Sequence, residues 1–322
     1  MYVKDLSQTK YSIANNISVK QSRLNQEQMW ITPEKPESFY RGGTRSVEIF
    51  QHLQKERKQR YPDWNKVITK EAQDIAEVIE QQGYYKIEKF WDTALLDEVR
   101  QQTLEIIERK DPAEVKYPQD GRHTIVKHPL KNIELTNEMA TNETIQAIAA
   151  AFLNCAPALG TTNMRLSTAQ EGPPAGTNMF HKDFNSPVRF IKFFTYFNDV
   201  AMNNGPFTYV HGSNRELPSN PHWASAHRWP DEAIENIYGL EKIKNLTANY
   251  GDLIIATTNG FHKGLNLQEG SRLMLTLNYV IHPELGGQGF AEPPQKLHPV
   301  KNETYQNLNE NNKYLYDFVE KV

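Results

Sequence analysis

From Gly160 onward the chain breaks into short runs rich in aromatic and β-branched residues, each bounded by Gly, Pro or Asn. These runs, at 163–168, 190–197, 207–210, 253–257 and 272–281, are all of strand length. Short strands separated by turn residues are the pattern of an antiparallel sandwich or barrel. A long excursion at 214–246 interrupts the series. It carries Trp223, His227, Arg228 and Trp229, with one helix expected to begin near Asp231. Insertions of this length are often binding loops or lids.

Before Gly160 the periodicity is helical. Leu95, Val99 and Ile106 keep a three-to-four spacing after Asp92-Thr93, and Ile145, Ile148, Ala149 and Phe152 do so after Thr141-Asn142. Residues 66–158 are therefore expected to be mostly helical. Residues 1–65 are polar and rich in Gln, Lys and Arg, with Val47, Phe50 and Leu53 at helical spacing ahead of a basic run at 55–60. This extension is expected to pack on or lid the core, its basic run forming a solvated helix face. The expected organisation is one domain over 66–300, with a β core at 160–282, the lid-like insertion at 214–246 and a tail at 301–322.

At 322 residues the chain is long enough to bury one large core or two modest ones. A net charge of −3 provides no basic field for nucleic acid. The single cysteine, Cys155, excludes an intrachain disulfide and suits a reducing compartment. No apolar run approaches twenty residues and no charged-then-apolar leader opens the chain, so the expectation is a cytoplasmic protein without a membrane span. The expected partner is a small molecule.

Within the β region, His181-Lys182-Asp183 is followed by His262 and then Arg272. Two imidazoles and a carboxylate on one face of a metal leave positions of an iron(II) open for other ligands. In extended backbone, residues i and i+2 point to the same side, so His181 and Asp183 can reach one ion. Ten histidines among 39 acidic residues give about one His-x-Asp/Glu by chance. A second such triplet, His282-Pro283-Glu284, is indeed present, but it closes a strand, and the only histidine after it is His298, in a Pro-rich stretch. Arg272 opens a run in which Leu273, Leu275, Leu277 and Tyr279 share one face. Arg272, Met274, Thr276 and Asn278 share the other, which suits the lining of a site. A guanidinium there can bind a carboxylate with two parallel hydrogen bonds. Asn163, Arg165 and Ser167 likewise share one face of their run and are candidates to line a co-substrate or substrate pocket. Thr195 shares a face with Phe193 and Phe197, and Lys192 falls on the opposite face with Phe194, so only one of the two faces can point inward.

Four motifs occur in order: Gly83-Tyr84-Tyr85-Lys86-Ile87-Glu88-Lys89-Phe90 with Leu95-Leu96; His181-Lys182-Asp183; Asn203-Asn204-Gly205-Pro206-Phe207 through His211-Gly212-Ser213-Asn214; and His262-Lys263-Gly264 with Arg272. Together they resemble the phytanoyl-CoA dioxygenase family over roughly residues 83–282. His211 and Asn214 depart from that family's proline and histidine. The resemblance implies a double-stranded β-helix, a cupin-like jelly roll with flanking, largely N-terminal helices. It also implies an Fe(II)- and 2-oxoglutarate-dependent dioxygenase that uses O2 and releases succinate and CO2. His181, Asp183 and His262 would then hold iron, and Arg272 would anchor 2-oxoglutarate, with Thr195, Asn163 and Ser167 beside it. Arg165, Phe180, Trp223 and Trp229 are the candidates for contact with substrate, with packing the alternative role of the three aromatics. The carboxylate of Asp183 points to hydroxylation, because related halogenases carry a small residue there; desaturation, cyclisation and epimerisation share the same early chemistry. Two other classes remain open at this point: a metal-binding barrel without turnover, and an iron dioxygenase or cupin-type isomerase that is indifferent to loss of Arg272.

Overall fold

The computed structural model describes residues 43–118, 121–169, 171–183, 189–215, 228–282 and 299–322. Six helices, α1 (Gly43–Arg60), α2 (Lys70–Gln82), α3 (Thr93–Arg109), α4 (Pro129–Asn132), α5 (Leu135–Ala140) and α6 (Glu143–Leu153), precede most of the sheet. Local chemistry sets their ends. Thr69 Oγ1 accepts from the Ala72 amide at 3.1 Å to open α2, and Gly83, at φ +95°, closes it in the left-handed conformation. Asp92 caps α3 through the Ala94 amide, and Asn142 caps α6 through the amides of Thr144 and Ile145. On α2 the stripe Ala72, Ile75, Ala76 and Ile79 is buried. Each isoleucine so buried stabilises the fold by about 1.5–3 kcal/mol.

Ten strands follow or interleave: β1 (Tyr84–Ile87), β2 (Val115–Lys116), β3 (His123–Val126), β4 (Ala158–Thr168), β5 (Ile191–Tyr196), β6 (Phe207–Val210), β7 (Ile243–Leu246), β8 (Leu253–Ala256), β9 (His262–Gly264) and β10 (Ser271–Val280). They form an antiparallel major sheet, in the order β1-β8-β5-β10-β4-β3-β2, and a minor sheet β7-β6-β9. This is the expected double-stranded β-helix. The five strands anticipated after Gly160 are all present. β1, β2 and β3 fall inside the stretch expected to be mostly helical; at four residues or fewer they are too short to show a period.

The two faces of the major sheet differ in kind. Phe193 and Phe197, Leu253 and Ile255, and Leu273, Leu275, Leu277 and Tyr279 point outward into the main core, where helical residues such as Ile79, Leu96, Ile145 and Ile148 cover them. Phe194, Tyr196, Ile254 and Ala256 point inward, with Met274, and meet Phe207 and Tyr209 of the minor sheet. Alternation along a strand therefore assigns each residue either to a dry, helix-covered core or to the inside of the jelly roll.

The stretch 214–246, read from sequence as a lid, is corrected in its second half. β7 pairs with β6 as a member of the minor sheet. Helix α7 (Asp231–Tyr238) is fixed by buried Ile234 and Tyr238 and by Asp231, which accepts two hydrogen bonds from Lys263 Nζ at 2.6 and 2.7 Å. Residues 216–227, including Trp223 and His227, lie outside the described residues.

The two ends of the described chain are tied together. After the short helix α8 (Asn302–Asn307), Leu315, Tyr316, Phe318 and Val319 are buried, so the tail at 301–322 packs on the domain. In the basic run, Lys55, Gln59 and Arg60 are exposed as expected, but Arg57 is buried. Its Nε donates to the Ala156 carbonyl at 2.6 Å, one Nη to the Pro157 carbonyl at 2.9 Å and the other to Asp317 Oδ2 at 3.0 Å. The Tyr61 hydroxyl donates to the same Asp317 oxygen at 2.6 Å. Removing Arg57 would leave buried Asp317 with only the half-exposed Arg60, 3.6 Å away, as an ion-pair partner and would orphan two buried carbonyls, so Arg57→Ala is expected to cost about 3–5 kcal/mol of stability. Arg60→Ala, on the exposed side of the same helix, is expected to stay within about 1 kcal/mol. Urea denaturation of the two variants beside the wild type checks this; equal losses would remove Arg57 from its role as the clamp.

Candidate metal centre

The triad is assembled by the backbone. His181 and His262 form an isolated antiparallel bridge in which each amide donates to the other's carbonyl at 3.0 Å. Residues directly opposite in such a pair project to the same face. Asp183, two positions on, is held by its amide, which donates to the Thr258 carbonyl at 3.0 Å. His181 Nε2 lies 3.5 Å from one Asp183 oxygen and His262 Nε2 3.6 Å from the other. All three donor atoms fall within 4.8 Å of one another, and no other such cluster is found among the described residues. Cis ligands about 2.1 Å from one ion stand about 3 Å apart, so a small contraction would seat a metal.

Both imidazoles are oriented the same way. His181 Nδ1 is 2.9 Å from the Met179 carbonyl and His262 Nδ1 is 3.0 Å from the Gly260 carbonyl, each two residues back. A carbonyl can only accept, so Nδ1 carries the proton and the Nε2 lone pair faces the site. Burial, reinforced by the nearby His181 ring, pushes the His262 pKa down to about 3, against an opposing pull from Asp183; it is neutral and ready to ligate at pH 7. For Asp183, burial alone would raise the pKa, but the Lys192 ammonium, then His262 and His181, hold it well below the usual carboxylate range. Lys192 Nζ donates to Asp183 Oδ2 at 2.5 Å.

Register places the remaining candidates. On β10, Arg272 stands opposite Ser167, Met274 opposite Arg165, and Thr276 opposite Asn163 of β4. All share the inward face. On the other side of β10, Asn278 faces Lys192, Thr276 faces Phe194 and Met274 faces Tyr196. His123 of β3 extends the polar strip, its Nδ1 3.0 Å from Ser167 Oγ. Arg272 is buried, with its guanidinium carbon 5.9 Å from the centre of the Tyr196 ring. Its Nε and one Nη have no hydrogen-bond partner among the described residues, and neither has Asn163 Oδ1.

Three sequence expectations are corrected. Thr195 points outward with Phe193 and accepts a hydrogen bond from Trp91 Nε1 at 2.9 Å, so it lies on the helix side of the sheet, away from the triad. Lys192 occupies the inward parity instead. Phe180, adjacent to His181, points to the opposite side and is buried with Val210, Ile234, Tyr238 and Phe261 beneath α7. Trp229 bridges Phe180 through the backbone and packs on that same cluster. Both aromatics form a structural backing to the metal strands. Trp223 lies outside the described residues, as does Glu284 of the competing triplet. His282 is buried against Phe318 with ring centres 4.8 Å apart and is not among the clustered ligands.

Several contributors went unnoticed in the sequence. A Cβ added at Gly264 would sit 3.3 Å from an Arg272 Nη, so this glycine leaves room for the guanidinium. Asn178 Nδ2 donates to the Gly264 carbonyl at 2.9 Å and holds β9 in place. A Cβ on Gly260 would lie 2.0 Å from the Tyr209 hydroxyl, which donates to the Thr257 carbonyl behind His262. At the two departures from the family pattern, the His211 ring packs edge-on to Tyr84, and Asn214 Nδ2 donates to the Glu80 carbonyl. The Ser213 hydroxyl accepts from the Phe261 amide at 2.8 Å, tying that motif to the approach of β9.

Comparisons with known proteins bear on the family and the fold. The family profile of phytanoyl-CoA dioxygenase (PhyH) matches residues 79–272, more than half of the chain. Among solved structures, the non-haem α-ketoglutarate-dependent carbocyclase SnoK from nogalamycin biosynthesis is 16% identical, with a TM-score of 0.51, covering 66% of this chain and 83% of its own. The epimerase SnoN from nogalamycin biosynthesis is 18% identical with a TM-score of 0.49, covering 65% and 83%. HygX from Streptomyces hygroscopicus, with nickel and 2-oxoglutarate bound, is 15% identical with a TM-score of 0.49, covering 73% and 91%. The first of these supports the two-sheet fold. A comparison with curated protein sequences finds no match.

The geometry makes Asp183 the only anionic donor in the cluster. Asp183→Ala is expected to weaken binding of a divalent metal by more than the 10–100-fold that loss of an outer partner costs. Metal content after equilibrium dialysis, set beside a circular dichroism check of folding, measures this. Full occupancy in the folded variant would remove Asp183 from the ligand set.

Proposed function

The chain belongs to the phytanoyl-CoA dioxygenase family and is an Fe(II)- and 2-oxoglutarate-dependent oxygenase, and on that premise we propose that it hydroxylates an aliphatic C–H of a small polar or anionic metabolite. We assign His181, Asp183 and His262 as the iron ligands and Arg272 as the anchor of the co-substrate. The observation that carries the assignment is the buried Arg272 guanidinium, two of whose nitrogens have no partner among the described residues, set against Gly264.

His262 and Gly264 lie on the same side of β9, two residues or about 6.6 Å apart along the strand. Arg272 stands against Gly264, on the His262 side of β9, and would hold the far carboxylate of a 2-oxoglutarate bound at the triad. The donor set also fits, because two neutral nitrogens and one carboxylate suit non-haem iron(II) and leave half its positions open. Bound there, iron(II), 2-oxoglutarate and O2 supply the oxidative decarboxylation that yields succinate and CO2 and the oxidant that removes a hydrogen atom from substrate.

The rest is done by the chain itself. His181 and His262 present Nε2 lone pairs fixed by their backbone-bonded Nδ1 protons. Arg272 orients the co-substrate, and Ser167 beside it on β4 offers a hydroxyl to the same carboxylate. Phe194, Phe207 and Tyr209 pack against one another and around His262, closing one end of the interior to water. Arg165, farther along the same polar strip, is the residue we assign to an anionic group of the substrate, with Asn163 next to it. Asp183 fills the ligand position that a halide would need, which favours hydroxylation as the outcome.

A bidentate guanidinium–carboxylate contact is strong and buried, and truncating one partner costs about 2–5 kcal/mol. Arg272→Ala should therefore raise the 2-oxoglutarate titration midpoint by about 30-fold or more, while metal stoichiometry is retained. Arg272→Lys should recover only part of the loss, since an ammonium lacks the forked geometry. The visible charge-transfer band of the anaerobic iron complex reports the titration. An unchanged midpoint in the folded, iron-loaded Arg272→Ala protein would move the anchor elsewhere, and failure of the wild type to bind 2-oxoglutarate would overturn the reading. Substrate-dependent succinate formation in a screen of small polar metabolites tests the substrate class.

A further inference from the structure

Lys192 stands where a lysine is electrostatically costly. It lies on the inward face of β5, among Phe190, Phe194 and Tyr196, and its Nζ reaches across the interior to Asp183. An ammonium a few ångströms from a divalent cation is repelled by it, by about 4 kcal/mol per pair of unit charges at 4 Å in a partly polarisable interior. The charge is tolerated only while it stays bonded to a carboxylate. Asp183 has two oxygens, and Lys192 holds Oδ2, the one nearer His262 Nε2. The other, Oδ1, is the one nearer His181 Nε2.

We propose that Lys192 is a positioning residue that ties up one Asp183 oxygen and so keeps the carboxylate a one-oxygen ligand, preserving the metal positions needed by the co-substrate. This rests on the reading of the triad as the metal centre. A carboxylate free at both oxygens can chelate a metal through both, which would take up a position that the keto acid requires. The lysine comes from the major sheet, whereas Asp183 is anchored beside the minor sheet through Thr258 and the His181–His262 bridge. The contact therefore also sets the separation of the two sheets at the metal. Outer partners of this kind commonly change metal affinity or activity by 10–100-fold when removed.

The test uses full-length protein carrying 13C-labelled aspartate carboxyl groups and infrared difference spectra on addition of Zn(II). The gap between the antisymmetric and symmetric carboxylate stretches is wide for one-oxygen binding and narrow for two-oxygen binding. The wild type should give the wide gap and Lys192→Met the narrow one. Lys192→Arg, which keeps a cationic donor, should restore the wide gap. In parallel, the 2-oxoglutarate titration midpoint of the iron-loaded protein should rise about tenfold or more in Lys192→Met and stay within a few-fold of wild type in Lys192→Arg. A wide gap in folded Lys192→Met overturns the proposal; if the midpoint rises all the same, the lysine acts on the co-substrate through its charge alone. If Lys192→Met does not fold, Lys192→Arg with a narrow gap is the overturning result. Absence of any Zn(II)-dependent carboxylate band in the wild type takes down the metal reading itself, and with it this proposal.

Discussion

The reciprocal backbone hydrogen bonds between His181 and His262 are the constraint on which the rest of the site depends. They bring together two residues far apart in sequence and force both imidazoles onto one face. Everything nearby secures that pair. Ser213 fixes the Phe261 amide, Asn178 fixes the Gly264 carbonyl, and the Tyr209 hydroxyl fits against Gly260. On the reverse side Lys263 is neutralised by Asp231, and Lys182 stacks on Phe261 while donating to the Ser213 carbonyl. A pair of short strands could not hold an open metal centre without this packed support.

The major sheet serves two environments at once. Its outer face is almost wholly apolar and is covered by the helices, so it supplies the stability that the interior does not. Its inner face carries Arg272, Arg165, Ser167, Asn163, Thr276, Asn278 and Lys192, a strip that would be expensive to bury in an ordinary core. The division is legitimate because the interior exists to receive charged and polar groups. The Arg57–Asp317 clamp belongs to the outer, structural half: it joins α1, the turn after α6 and the C-terminal segment.

Much of this was legible in the order of residues. Asp92 and Asn142 cap helices where the spacing placed them, and the five strand runs after Gly160 became β4, β5, β6, β8 and β10. The face of Arg272 was readable too, because Leu273, Leu275, Leu277 and Tyr279 so clearly claim the other side. Where the pattern was ambiguous, it misled. In Phe193-Phe194-Thr195-Tyr196-Phe197 both faces are aromatic, and period-two alternation cannot say which of them is inward. The choice of Thr195 over Lys192 was thus a choice of parity, decided by the pairing of β5 with β8 and β10. Phe180 adjoins His181, and neighbouring residues on an extended segment point to opposite sides, so it backs the site; Trp229 joins the same cluster through its bridge to Phe180.

The sequence by itself determined most of the element types, the alternation within the longer strands and the donor atoms that the candidate ligands offer. These follow from local rules: side-chain volume, backbone preference, and the donor atoms that histidine and aspartate carry. The tertiary structure alone decided which face of each strand looks inward, that Lys192 meets Asp183, that Gly264 makes room for Arg272, and that Arg57 joins the two ends. The reason is physical. Each of these is a contact between residues widely separated along the chain, set by strand register and sheet spacing, and a one-residue slip of a strand would exchange its inward set for its outward one.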